Sequence, residues 1–217
     1  MNESSFIHKN MAFGRCIYNL FSLQLFILFY SLKGFIIFGF FPAVAATFHV
    51  MYRWIVYREY DIVISKQFSF FYAENFWKAN KIGWLLTGSA LLLAGDLMIS
   101  KQMIQSPIIH TVLVILFIIF LLLGAYIFPV FVRYDYHALI IYFKQSFFIG
   151  IASLPQSIAI FILGALLYKV FHWIPFVALF FGAPLLIGGI SWFAFQGILK
   201  AEALKVATLD KKEEKRG

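Results

Sequence analysis

The chain has 217 residues, of which 62% are hydrophobic and only 13% are charged, and its formal net charge is +8. A water-soluble domain has about 25% charged residues, so this composition excludes an ordinary soluble fold. The apolar residues form long blocks, and a chain of this length holds about six spanning helices of ~20 residues each. The composition therefore predicts an all-α fold, a polytopic bundle of transmembrane helices.

Six apolar blocks follow one another along the chain. Lys33 and Gly34 divide the first long apolar run, because a charge and a glycine both weaken a helix in lipid. The predicted spans cover residues 13–32, 35–57, 82–99, 108–132, 148–170 and 174–199. They form a single transmembrane domain over residues 1–199. Residues 200–217 are predicted to be a charged cytoplasmic tail that starts as a helix and ends disordered.

Basic residues lie almost entirely on one side of these predicted spans. If both termini are cytoplasmic, 15 of the 18 lysines and arginines lie inside, and only Lys33, Lys101 and Lys169 lie outside. A five-span alternative that merges the first two spans would move Lys9 and Arg15 outside. Because cytoplasmic loops are rich in Lys and Arg, the count favours six spans in the cell membrane with both ends inside.

A cleaved signal peptide is the alternative interpretation of the N-terminal region. Basic residues precede an apolar run, and Ala43-Val44-Ala45 resembles a cleavage site. The run before this site is far longer than the apolar core of a signal peptide, and Lys33 interrupts it. The sequence therefore favours a retained membrane segment.

The positive charge predicts a lipid partner and no nucleic-acid partner, because Lys and Arg are gathered at the ends of the apolar blocks. Anionic headgroups are the acidic groups expected there. Neither a cofactor nor a metal is predicted, since the sequence lacks a phosphate-binding Gly-rich loop, a His-Glu-x-x-His motif and a Gly-x-Ser-x-Gly elbow. The single cysteine, Cys16, cannot form a disulfide within the chain. These absences predict that the protein is not an enzyme.

The two longer inner connections have helical periodicity and predict amphipathic helices lying in the inner interface. In the first, the apolar positions are Ile64, Phe68, Phe71, Tyr72 and Phe76. In the second, they form a candidate docking face that consists of Tyr136, Leu139, Ile140, Phe143 and Phe147. Such helices either bind a cytoplasmic partner or only anchor the chain in lipid, and anchoring is the commoner use.

Polar residues inside predicted spans are candidate site residues, because charge is costly in lipid. Asp96 is either a ligand for an ion or substrate, or an interfacial carboxylate near Lys101 or Lys33. His49 and Arg53 lie one turn apart on the second span. They either line a polar groove or take part in ordinary hydrogen bonds between helices.

Prolines and glycines mark candidate helix breaks at Pro42 in the second span and at Gly182 and Pro184 in the sixth. Broken spans line binding sites in some transporters, whereas a kink needs only neighbouring helices that satisfy the backbone. At the end of the fourth span, Arg133 and Asp135 form either a gate ion pair or a helix end from which the arginine reaches the interface.

Three motifs together resemble the YesL-like family of bacterial integral membrane proteins, a domain family of unknown function. The motifs are GFFPAVAA at 39–46, FSFFYAENFWKAN at 68–80 and YIFPVFVRYD at 126–135. The resemblance covers residues 10–200, and the chain departs from the family pattern at 33–35, where Lys-Gly-Phe replaces a frequent proline. The family has no established catalytic residues. Its members are often encoded near carbohydrate-uptake genes, which implies a role beside ABC-type sugar transporter components.

Three functions are compatible with this sequence. The first is an accessory or regulatory component of a carbohydrate uptake system, which binds its partner through the inner amphipathic helices. The second is a small-solute transporter or permease subunit in its own right, which would use Pro42, Asp96 and the last span. The sequence lacks the Glu-Ala-Ala coupling loop of an ABC importer permease. The third, an intramembrane enzyme, is disfavoured by the missing motifs.

Overall fold

The computed structural model describes residues 3–214, and it describes the side chains of residues 14–103 and 105–207. In this part of the chain every regular element is a helix, which confirms the all-α prediction. A π-helical turn, Ser100–Ile104, extends the fourth helix. The helices are α1 (Glu3–Lys33), α2 (Phe40–Ile55), α3 (Ile64–Glu74), α4 (Phe76–Ile99), α5 (Pro107–Arg133), α6 (Leu139–Ala152), α7 (Leu154–Trp173) and α8 (Pro175–Glu214).

Five of the described helices are long and apolar enough to cross a membrane. These candidate spans are Gly14–Lys33, Phe76–Met103, Pro107–Arg133, Leu154–Trp173 and Pro175–Ala207. Helix α2, predicted as a span over residues 35–57, has 16 residues. At ~1.5 Å per residue it is about 24 Å long, shorter than the ~30 Å hydrocarbon core. The chain is thus a multi-pass membrane protein, whereas a sixth span stays a prediction.

Several helices end at other residues than the sequence predicts. With the π-helical turn, α4 extends from Phe76 to Ile104, so the predicted loop at 100–107 shrinks to two residues, Gln105 and Ser106. Gln105 ends the helix in the left-handed region, with φ 52°. Helix α8 continues to Glu214 through the predicted tail. A polar sequence marks where a helix leaves lipid, but the backbone ladder continues into water where the residues favour helix.

The chain forms two compact units. The first comprises Met1–Phe76 and Leu163–Gly189, and the second comprises Trp77–Ile162 and Ile190–Gly217. Helices α7 and α8 therefore contribute residues to both units.

The first unit has α2 at its centre. Ala43, Ala45, Ala46 and Val50 of this helix are fully buried, and small side chains of this kind let neighbouring helices approach closely. The buried Thr47 hydroxyl donates to the Ala43 carbonyl at 2.8 Å, so this polar group is satisfied within its own helix. The small apolar residues that the sequence places in its second span thus form the core of this unit.

Aromatic rings connect α1 to α3 in the same unit. The Tyr72 hydroxyl donates to the carbonyl oxygen of Tyr30 at 3.0 Å, and the centroids of the two rings are 4.7 Å apart. The Phe68 ring, fully buried, lies 5.1 Å from the Tyr30 ring. Phe68 and Tyr72, two residues of the Phe-rich motif, therefore pack α3 against the end of α1.

A tight turn between α1 and α2 requires two glycines. Phe35 and Ile36 have φ values of 55° and 63°, in the left-handed region that side chains other than glycine rarely adopt. A Cβ atom on Gly34 would overlap the Gly39 Cα, and one on Gly39 would overlap the Ser31 carbonyl oxygen. Gly34, which interrupts the first apolar run of the sequence, thus makes the turn possible.

In the second unit, α5 and α6 form an antiparallel pair. Beside this pair, the hydroxyl groups of Tyr126, Ser153 and Ser157 form hydrogen bonds that we call the polar seam. Tyr126 of α5 is fully buried, and its hydroxyl lies 3.2 Å from the Ser157 hydroxyl of α7. The Ser153 hydroxyl donates to the Gly197 carbonyl of α8 at 3.1 Å. Hydrogen bonds of this kind join helices in lipid, where buried polar groups have no water.

One residue separates each interfacial helix from the helix that follows it. Asn75 stands between α3 and α4, and Ser153 stands between α6 and α7. Both donate their backbone N–H to the carbonyl four residues earlier, at 3.1 and 2.9 Å. Asn75 follows Gln67 by eight residues, and Ser153 follows Gln145 by eight, with a lysine before each glutamine. The two junctions are therefore equivalent in sequence and in local geometry.

We expect Gly39→Ala to lower the free energy of unfolding by about 1–3 kcal/mol, because the added methyl group has no room in the turn. Gly14→Ala is the matched control, since a Cβ atom there meets nothing within 4 Å. Unfolding in mixed micelles, followed by tryptophan fluorescence, measures both variants. Equal stability of the two variants would show that the turn accommodates a side chain.

Cysteine accessibility distinguishes six spans from five. Cys16 is exposed near the start of the first candidate span, and a second cysteine can be introduced as Lys212→Cys in a Cys16→Ser background. With six spans, a membrane-impermeant maleimide labels both sites only after intact cells are permeabilised. With five spans, exactly one of the two sites is labelled in intact cells, and the prediction that both ends are cytoplasmic is then wrong.

Candidate functional site

A cluster of charged and tyrosine side chains lies in the second unit at the end of α5. The Arg133 guanidinium donates to both carboxylate oxygens of Glu202, at 3.1 and 3.0 Å. The Tyr134 hydroxyl donates to the same carboxylate at 2.6 Å. Bidentate pairs of this type are among the strongest polar interactions in proteins. We call these residues, together with Tyr136 and Tyr142, the α5-end cluster.

Glu202 was not among the predicted site residues, because it falls in the region predicted to be a tail. The sequence analysis pairs Arg133 with Asp135, whereas the observed partner is 69 residues away. A signal for this contact exists in the sequence. Glu202 is the first acidic residue after Asp135, and it follows a long apolar segment in which a carboxylate needs a cation.

Asp135 pairs with Lys78 at the start of α4, with 2.9 Å between the carboxylate oxygen and the ammonium nitrogen. The hydrogen bond and the positive charge of Lys78 hold the pKa of Asp135 below its usual value. Both side chains are largely exposed, so this pair contributes little to stability. It aligns the start of α4 with the segment that follows α5.

Tyr142 closes the connection between α5 and α6. Its hydroxyl accepts the backbone N–H of Tyr136 at 2.8 Å and lies 3.3 and 3.2 Å from the carbonyl oxygens of Tyr134 and Tyr136. Burial raises the pKa of Tyr142, and burial with the hydrogen bond to Glu202 raises that of Tyr134. Both phenols therefore stay protonated and can donate. The cluster fixes the start of α6, since its polar groups are paired with one another.

His49 and Arg53, predicted to share a face of the second span, have separate partners in the first unit. The His49 ring stacks on Phe71 of α3, with ring centroids 4.3 Å apart. Arg53 forms an ion pair with Glu59 at 2.5 Å and lies over the Tyr57 ring, 6.0 Å from its centroid. These contacts cover the predicted groove with side chains of α3 and of the α2–α3 loop.

Asp96 lies in the second unit, so the candidate site residues do not come together within one unit. Its side chain is exposed on α4. Because α4 and its π-helical turn continue to Ile104, Asp96 is about 12 Å from the helix end, at ~1.5 Å per residue. Because its side chain is exposed, the Asp96 carboxylate points away from the core of its unit.

The candidate helix breaks are helical in the structure. Helix α8 passes through Gly182 and Pro184 without interruption, and Pro42 lies in the first turn of α2, where a missing N–H removes no hydrogen bond. Beside Pro184, the Ala183 N–H donates to the side-chain oxygen of Gln24 in α1 at 3.2 Å. A neighbouring helix thus satisfies a backbone donor next to the proline, as membrane helices allow.

The candidate docking face is partly covered. Ile140 is 72% exposed, whereas Tyr136, Leu139, Phe143 and Phe147 are half-buried. The side of α6 that is buried consists of Tyr142, Ser146, Ile149 and Gly150. Helix α6 also runs to Ala152, past the predicted start of the next span at residue 148. The predicted docking face and the buried side therefore differ, because both sides of this helix are rich in aromatic and aliphatic residues.

Among the residues whose side chains are described, no group of three His, Cys, Asp or Glu side chains has the arrangement of a metal site. The polar groups of the α5-end cluster are occupied by one another. Glu202 of α8 thus holds Arg133 and Tyr134 at the end of α5, and we call this contact the clamp.

Five long apolar helices together with shorter ones define the class, a multi-pass helical membrane protein. A family model described as "Protein of unknown function, DUF624" matches residues 20–97. The chain is 32% identical to "Uncharacterized protein YesL" of Bacillus subtilis (strain 168), over 78% of this chain and 81% of the relative. It is 27% identical to "Uncharacterized protein YteU" of the same organism, over 81% and 78%. The chain therefore belongs to the YesL-like family, as its motifs predict. No solved structure matches it.

A double-mutant cycle tests the clamp. We expect Glu202→Gln to lower the free energy of unfolding by about 1.5–3 kcal/mol, because the half-buried Arg133 loses its charged acceptor. Arg133→Gln should cost a similar amount, and the double variant less than the two together. Glu74→Gln, at an exposed carboxylate on α3, is the control and should change stability little. Additive effects at 133 and 202 would show that the two residues act independently.

Proposed function

We propose that this protein is a non-enzymatic accessory subunit that binds a membrane transporter through the exposed side of α6. The observation that carries the proposal is the position of Ile140. Its side chain is 72% exposed one residue after the start of a helix that the α5-end cluster holds in place. An apolar side chain on a fixed helix loses little conformational freedom on binding, which favours its use as a contact.

The length of α6 supports an interfacial position. Its 14 residues make it about 21 Å long at ~1.5 Å per residue, too short to cross the ~30 Å hydrocarbon core. Its buried side packs on α5, where Tyr142 contacts the Phe131 ring and Gly150 lies against Leu122. The opposite side carries Ile140, the 55% exposed Phe148 and, between them, the exposed Lys144. A membrane partner covers such a side without exposing it to water.

The carbohydrate part of the proposal comes from the family. The resemblance implies a place beside ABC-type sugar transporter components, and we take these as the partner. The paired state of the α5-end cluster supports an accessory role over chemistry, because its charged groups are already occupied by one another. The absence of catalytic motifs in the sequence supports a non-enzymatic role.

Affinity purification from native membranes tests this proposal. We expect the tagged full-length chain, in mild detergent, to recover identified transporter subunits or their ATPase in stoichiometric amounts. Ile140→Asp should reduce this recovery at least tenfold, because the apolar side chain is lost and its carboxylate can pair with the exposed Lys144 one turn later. Phe70→Asp, at a 63% exposed position on α3, is the matched control and should leave the recovery unchanged.

Two results would contradict the proposal. One is recovery of the protein alone across several detergents. The other is undiminished recovery of the transporter with Ile140→Asp, provided that this variant elutes as a monodisperse species. The first result would direct attention to solute uptake by the reconstituted protein, with Asp96→Asn as the variant.

A further inference from the structure

A cleft of about 490 Å³ opens in the first unit beside the N-terminal end of the α1 span. Sites for small ligands commonly have volumes of about 300–1,000 Å³, so the cleft has room for one. Its walls come from α1, from the end of α2 and from the loop after α2. The lining residues are Arg15, Cys16, Asn19, Trp54, Tyr60 and Asp61.

The two charges in the cleft are only loosely paired. An Arg15 nitrogen and an Asp61 oxygen are 3.9 Å apart, and the side chains are 68% and 97% exposed. Strong charge-assisted hydrogen bonds have lengths of about 2.7–2.9 Å. The neighbouring pair Arg53–Glu59 is closed, at 2.5 Å. Arg15 and Asp61 therefore retain hydrogen-bonding capacity, and the cleft offers one cation and one anion to a ligand.

Trp54 contributes its ring to the wall of the cleft. Its indole N–H is shielded from solvent, so the ring and not the N–H is available to a ligand. The ring faces of Trp54 and Tyr60 can also attract a cation.

The height of the cleft identifies its occupant as a lipid headgroup. Arg15 and Cys16 lie at the start of the first span that the sequence predicts, 13–32, so we expect the cleft where this helix enters the bilayer. Trp and Tyr side chains prefer this headgroup level. A ligand that carries both signs of charge within one small group at this height is a zwitterionic phospholipid.

We propose that this cleft binds the headgroup of phosphatidylethanolamine. The lipid phosphate accepts hydrogen bonds from the Arg15 guanidinium, and the lipid ammonium donates to the Asp61 carboxylate beside the Trp54 and Tyr60 rings. A phosphatidylglycerol headgroup has no ammonium and would place a second negative charge near Asp61. A phosphatidylcholine headgroup has no N–H to donate. This site is independent of the α6 contact, since its residues lie in the first unit and α6 lies in the second.

Native mass spectrometry of the full chain tests the proposal. The protein is exchanged into detergent with equal amounts of phosphatidylethanolamine, phosphatidylglycerol and phosphatidylcholine. We expect one phosphatidylethanolamine molecule to be retained at least fivefold above either other lipid. Arg15→Gln should lower retention at this site at least fivefold, because the phosphate that the three lipids share loses its cation. Asp61→Asn should shift the preference to phosphatidylglycerol, because the carboxylate that repels an anionic headgroup is gone. Arg58→Gln is the matched control for Arg15→Gln, since it removes the same charge from a residue outside the cleft lining.

Two readings would overturn the assignment. One is equal retention of the three lipids by the unaltered chain, which means unselective annular lipid. The other is undiminished retention of phosphatidylethanolamine by Arg15→Gln, which places the lipid elsewhere. Free phosphoethanolamine at millimolar concentration distinguishes the headgroup from the whole lipid. It should slow maleimide labelling of Cys16 in the cleft at least twofold, and in Arg15→Gln it should have no effect. Unchanged labelling of the unaltered chain would contradict headgroup recognition.

Discussion

Hydrocarbon offers no hydrogen-bonding partners, and this constraint shapes the chain more than any single contact. Every backbone N–H and C=O group in the bilayer must be satisfied within the protein, which leaves helices as the economical solution for an apolar chain of this composition. Three polar groups in the long helices and at their junctions find partners outside the regular backbone pattern. Next to Pro184 the Ala183 donor is satisfied by Gln24 of another helix, and the buried Thr47 and Ser153 hydroxyls are each satisfied by a carbonyl.

The same constraint explains why polar residues gather where helices end. At the end of α5, the carboxylate of Glu202 accepts from both Arg133 and Tyr134, and the Tyr142 hydroxyl serves the backbone of the following turn. Such a cluster is satisfied internally and fixes the geometry of α6. At the start of α1, in contrast, Arg15 and Asp61 are loosely paired and open. The α5-end cluster is thus closed by its own hydrogen bonds, whereas the charged pair in the cleft is open to other partners.

The sequence predicts the apolar spans well, because the solvation of a segment by lipid depends on the hydropathy of its own residues. The strongest span, predicted at 108–132, is observed as Pro107–Arg133. The contacts of the clamp were not predictable in this way, because Arg133 and Glu202 are 69 residues apart and their pairing depends on the packing of α8. The periodicity of α6 also did not indicate which side is buried, since an aromatic-rich helix has no clear polar face. Whether α2 is a sixth span depends on its surroundings, since its 16 residues do not decide it.

The single-residue junction at Ser153 has a mechanical consequence. A flexible loop would absorb a displacement of α6, whereas one capped residue transmits it directly to α7. A displacement of α6 is therefore passed on to the start of α7. The hydrogen bond between the Ser153 hydroxyl and the Gly197 carbonyl is the nearest contact that such a displacement would lengthen.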